Sequence, residues 1–133
     1  MGDAKRQPMN FTTFLAVGAG GAMGAMARYA VHHGLTAWHG AEAAWSTLGV
    51  NVAGSLALGF AAGLLSGREG AFSLFLMIGV LGAFTTFSTF AMDAVVLFKD
   101  RGTGMAALYM ALSVGLSVAG FLAGLALSRG SLS

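Results

Sequence analysis

Four apolar stretches, each about long enough to cross a bilayer, follow one another with very little polar sequence between them. A helix needs about 20 apolar residues to span about 30 Å of hydrocarbon. Runs of that kind cover residues 11–31, 44–65, 71–98 and 103–127. The charges and chain breakers gather in the connections. His32, His33, Gly34, His39, Gly40 and Glu42 lie in the first, Gly67, Arg68, Glu69 and Gly70 in the second, and Lys99, Asp100, Arg101 and Gly102 in the third. The pattern predicts an all-α membrane protein, with residues 1–133 forming a single four-helix transmembrane domain.

Composition agrees. Only 9% of the residues are charged, against about 25% in an average soluble domain, and there are 21 glycines in 133 residues. A net charge of +2 is too small to imply nucleic acid, and the high apolar content excludes a disordered chain. No cysteine is present, which removes disulfides and thiolate metal sites. Lys5 and Arg6 ahead of an apolar stretch also fit the start of a signal peptide. Three further spans follow rather than a polar mature domain, so the first span is expected to be retained.

The third run is longer than one crossing requires, and its middle reads Gly79-Val80-Leu81-Gly82-Ala83-Phe84-Thr85-Thr86-Phe87-Ser88-Thr89-Phe90. Glycines and paired threonines there suggest a helix broken at mid-membrane, which is tolerated only where the freed backbone groups face protein, water or an ion. Gly20 and Gly24, Gly59 and Gly63, and Gly120 and Gly124 offer flat faces for close helix contact. A chain this small has little interior of its own, so a conducting or binding site is expected between two copies.

Polar groups inside a membrane must find partners, and here they are aligned. Thr47, Asn51 and Ser55 recur at every fourth position of the second span, and Tyr109, Ser113 and Ser117 do so on the fourth. The latter set covers about 12 Å of helix rise on one face. On the third span Thr85, Thr86, Ser88 and Thr89 interleave with Phe84, Phe87 and Phe90. Hydroxyls and amides can replace the hydration of a small anion, and no fixed carboxylate stands among them to repel it. Taken singly, a membrane serine or threonine more often bonds back to its own helix.

Phe87 and Phe90 lie on neighbouring parts of one helix surface, a spacing that serves packing, though the positive ring edges can also meet a dehydrated anion. Arg28 either snorkels to the interface or draws anions into a vestibule, and Asp93 marks the outer part of its span. The three histidines read as exposed loop residues, and Trp38 and Trp45 as interface anchors. No phosphate-binding loop, Gly-x-Ser-x-Gly or paired carboxylates occur, so an enzyme is not expected. Lys5, Arg6, Arg68 and Arg129 would share one side of the membrane, opposite Lys99 and Arg101 with Arg28 close by. A charge bias this small gives insertion little direction, which predicts dual topology.

Gly20-Gly21-Ala22-Met23-Gly24-Ala25-Met26-Ala27-Arg28-Tyr29, Thr47-Leu48-Gly49-Val50-Asn51-Val52-Ala53-Gly54 and Gly82-Ala83-Phe84-Thr85-Thr86-Phe87-Ser88-Thr89-Phe90 resemble, in this order, the Fluc (CrcB-type) fluoride ion channels. The resemblance covers nearly the whole chain. It implies an antiparallel, dual-topology homodimer in the plasma membrane, the inner membrane of bacteria, with two pores and a structural Na+ at the dimer centre. By match of motif, Phe87, Phe90, Asn51, Ser88 and Thr89 correspond to fluoride pore residues. Tyr109, Ser113 and Ser117 correspond to the fourth-helix part of the polar track. Gly82 and Thr85 correspond to the residues whose backbone carbonyls hold sodium, and Arg28 to the vestibule arginine. Family members usually carry glutamate where this chain has Asp93.

The implied function is passive export of fluoride, the partners being the ion, the bilayer and a second copy of the chain, without nucleic acid. A small proton-coupled multidrug exporter is the alternative, also four-helix and dimeric. That mechanism requires a titratable carboxylate in the first span, and residues 11–31 contain no acid.

Overall fold

A computed structural model describes residues 9–39 and 42–130. Helices are the only regular secondary structure among them, with four segments long and apolar enough to cross a membrane. Helix α1 (Phe11–His39) begins where Asn10 caps it: Thr13 N–H donates to Asn10 Oδ1 at 2.8 Å and Asn10 N–H donates to Thr13 Oγ1 at 3.2 Å. It continues well past residue 31, so His32 and His33 lie on the helix and not in a connection. Gly34 does not break it. Helix α2 covers Ala43–Leu64.

The third span has three helical pieces before residue 85, namely Ala71–Ser73, a π-helical turn series Leu74–Leu81, and Gly82–Phe84, together called α3 (71–84). Thr85 (φ −79°, ψ 157°) and Thr86 (φ −150°, ψ 120°) are extended. Helix α4 (Phe87–Arg101) then starts with Thr86 as its cap, the hydroxyl accepting from Thr89 N–H at 3.2 Å. Gly102, at φ 85°, supplies the left-handed turn that ends α4, and α5 follows over Thr103–Gly130.

Small residues set how closely these helices approach. A Cβ on Gly59 would strike the backbone of Phe121, one on Gly124 the backbone of Leu56, and one on Gly63 the Ser128 side chain. Helices α2 and α5 therefore meet nearly backbone to backbone. Gly20 and Gly24 do the same for α1 against Phe75, Gly79 and Val80 of α3. The glycine pairs at spacing four thus serve packing within one subunit.

The buried core is small. Ala44, Phe90, Ala94, Leu97, Ala106 and Tyr109 form it, with Trp45, Leu48 and Met105 packed on its edge. Trp45 sets its ring edge-on to Tyr109 at 6.0 Å, so it is partly core and not only an interface anchor. Most other large apolar side chains point outward, as a bilayer requires.

Candidate functional site

The extended Thr85–Thr86 pair leaves backbone groups without helical partners, and side chains from other spans take them up. Asn51 of α2 donates through Nδ2 to Thr86 O at 2.9 Å and accepts from Thr86 N–H through Oδ1 at 2.7 Å. Arg28 of α1 donates through Nε to Ala83 O at 3.2 Å. Thr85 turns its own hydroxyl back to Leu81 O at 3.2 Å. An unpaired backbone group in hydrocarbon is costly, so Asn51 and Arg28 hold the interruption in place. Arg28 is thereby fixed to the third span and does not simply snorkel.

A cavity of about 230 Å³ opens beside this bridge. Asn51 and Ser55 of α2, Thr85 and Thr86, Phe87 and Phe90 of α4, and Ser113 and Ser117 of α5 line it. Three of the four spans supply it, and the two aligned polar rows of α2 and α5 meet there. Ser113 Oγ is buried with no hydrogen-bond partner. Among the described residues the lining holds hydroxyls, one carboxamide and two rings, and no carboxylate.

The two rings differ. Phe87 is 78% exposed and Phe90 9%, their centroids 5.3 Å apart. Phe90 lies 5.5 Å from Tyr109, which is fully buried and lies outside the cavity lining. Tyr109 donates its hydroxyl to Asp93 Oδ2 at 3.5 Å, and Asp93 is itself only 5% exposed. The expectation that Asp93 merely marks the outer part of its span does not hold: the carboxylate is turned inward to the phenol.

A second cavity, of about 280 Å³, lies between α1, α2 and the third span, with Arg28, His32, Thr47, Thr86 and Thr89 among its lining. Thr47 leaves the Asn51–Ser55 row for this side and donates its hydroxyl to Ala43 O at 3.1 Å. Ser88 is exposed, 3.3 Å from Thr86 Oγ1. Thr86 borders both cavities and bonds to Asn51, Ser88 and Thr89. Thr86 is thus central to the site although no motif match gives it a role, its place in the Thr85-Thr86 pair being the signal in the sequence.

Among the described residues no group of three or more His, Cys, Asp or Glu side chains is placed to hold a metal ion. A cation here would have to rely on backbone oxygens. Two lose their helical partners: the N–H four residues beyond Gly82 is that of Thr86, given to Asn51, and the one beyond Thr85 is that of Thr89, given to the Thr86 hydroxyl, while the Thr85 hydroxyl lies 3.5 Å from the Gly82 oxygen.

Residues 15–125 match the family model described as CrcB-like protein, Camphor Resistance (CrcB). A "Fluoride-specific ion channel FluC" of Rhodospirillum centenum is 49% identical over 118 residues, 86% of this chain and 94% of the relative. The protein of the same name from Nitrobacter winogradskyi is 44% identical over 124 residues, 91% of this chain and 98% of the relative. That of Rhizobium meliloti is 44% identical over 118 residues, covering 86% and 94%.

Proposed function

The chain belongs to the CrcB family, and on that premise we propose that it is a fluoride-selective channel of the bacterial inner membrane, passing the anion out of the cytoplasm and lowering its toxicity. The observation that carries this reading is the cavity at the Asn51–Thr86 bridge, where donors from three spans converge without a carboxylate. The first turn of α4 opens onto it at Phe87, and the partial positive charge of a helix start favours an anion. A membrane potential negative inside drives an anion outward by about 2.3 kcal/mol per 100 mV. Passive conduction is then sufficient.

Asn51, Phe87, Phe90, Ser88, Thr89, Ser113 and Ser117 line the ion path in this proposal, Tyr109 backs it, and Arg28 guards the vestibule. The path is completed by a second, antiparallel copy. The support is the exposure of Phe87 in a single subunit, on the wall of a cavity that is open and not enclosed. The extended Thr85–Thr86 pair lies at mid-membrane. Gly82 and Thr85 of both copies offer four carbonyl oxygens there, a donor set that suits a hard cation such as Na+. When bound, that ion supplies a fixed positive charge joining the two interruptions.

The exporter alternative is not favoured, because α1 carries no acidic residue and the buried Asp93 is bonded to Tyr109 on the opposite pair of helices. Expression in a bacterium lacking its own fluoride export tests the choice. Growth in millimolar fluoride should be restored with drug sensitivity unchanged. Gained drug resistance without fluoride resistance would favour the exporter.

A further inference from the structure

The cavity between α1, α2 and the third span has two basic side chains on one helix, Arg28 and His32, one turn apart. We propose that His32 is a second, proton-dependent cationic group of this vestibule, so that fluoride access to the pore rises when the imidazole takes up a proton. This rests on the channel reading above.

Helix α1 runs unbroken through both residues, so their relative position is fixed by the helix. Arg28 is anchored by Ala83 O, which holds the guanidinium at the third span and leaves His32 as the neighbouring group on the same wall. From α1 the titratable or charged groups at this cavity are Arg28, Tyr29 and His32, while His33 stacks on the Tyr29 ring at 6.1 Å. From α2 come Thr47 and Val50, and from the third span Thr86 and Thr89, none of which titrates. Among the described residues no carboxylate lines the cavity. Glu42 is paired with Arg101, Asp93 with Tyr109, and both acids border a different cavity.

Protonation of His32 therefore changes the vestibule from one fixed positive charge to two, with no carboxylate among the described residues of its lining to cancel the gain. Anions gathered by that field lie next to Thr86, which also borders the Asn51 cavity. A second charge in a low-dielectric cleft raises local anion concentration several-fold at low ionic strength, and salt removes the effect.

The test is initial fluoride efflux from vesicles holding the full-length protein, at low fluoride and low salt, at pH 7.5 and pH 6.0. Protein-free vesicles at each pH subtract leak of the neutral acid. Wild-type flux should rise about threefold at the lower pH. His32→Gln should be slow at both values and His32→Lys fast at both, while 0.5 M inert salt should erase the differences. An equal rise in wild type and His32→Gln, or a wild type indifferent to pH, would overturn the proposal. His32→Lys keeps the test decisive if the glutamine variant fails to fold. Absence of wild-type flux at either pH would instead overturn the channel reading itself.

Discussion

Asn51 and Thr86 exchange two hydrogen bonds, Nδ2 to the Thr86 carbonyl at 2.9 Å and the Thr86 amide to Oδ1 at 2.7 Å, so one side chain of α2 replaces the helical partners that the third span gives up. Removing the amide orphans both Thr86 groups, at about 1–3 kcal/mol each. Asn51→Ala should therefore lower the melting temperature in detergent as well as stop fluoride flux. Asn51→Asp keeps the acceptor but loses the donor, and places a negative charge on the path, so it should fold better than Asn51→Ala and still fail to conduct. A folded, fully conducting Asn51→Ala would contradict both roles.

Phe87 and Phe90 should separate in the same assays. Phe90 is enclosed between Phe87 and Tyr109, and truncating an enclosed ring costs about 3–5 kcal/mol. Phe87, 78% exposed, gives up little packing within the subunit. Both alanine variants should lose fluoride flux, with Phe90→Ala alone losing much thermal stability. Flux loss that tracks dimer loss in proportion, for either ring, would mean packing and not pore lining.

The α2–α5 contact leaves no room at Gly124, where a methyl group would meet the Leu56 carbonyl and the Phe60 amide. Gly124→Ala should cost about 1–3 kcal/mol through forced separation of the helices. Gly115, on the same helix with nothing within 4 Å, should accept alanine with no loss or a small gain. Thermal melting of the two purified variants checks the contrast.

Dual topology is expected from a small charge bias, Lys5, Arg6, Arg68 and Arg129 against Lys99 and Arg101 with Arg28 close by, Lys5 and Arg6 lying outside the described residues. Single cysteines placed near Gly2 and near Ser133 should each react with an impermeant thiol reagent in about half the molecules of intact cells. Complete labelling, or none, would mean one orientation and a different dimer.

The four spans were legible because apolar length alone decides them. Their ends were not. Polar residues from His32 onward look like a connection, yet nothing there forbids a helix, and α1 runs on to His39. The polar rows were legible as alignments, but helical phase does not say which neighbour a row meets. Asn51 and Ser55 share a cavity with Ser113 and Ser117, whereas Thr47 faces Arg28 and Tyr109 turns into the core. The Asn51–Thr86 and Tyr109–Asp93 bonds join residues distant in the chain, and no local pattern marks such pairs.

The central claim is tested most directly by loading vesicles that contain the purified protein with equal fluoride and chloride, adding a potassium ionophore to set the potential, and following both anions with selective electrodes. Fluoride should leave rapidly while chloride stays, and Phe87→Ala vesicles should hold both. Equal release of the two anions, or retention of fluoride by the wild type, would contradict the account.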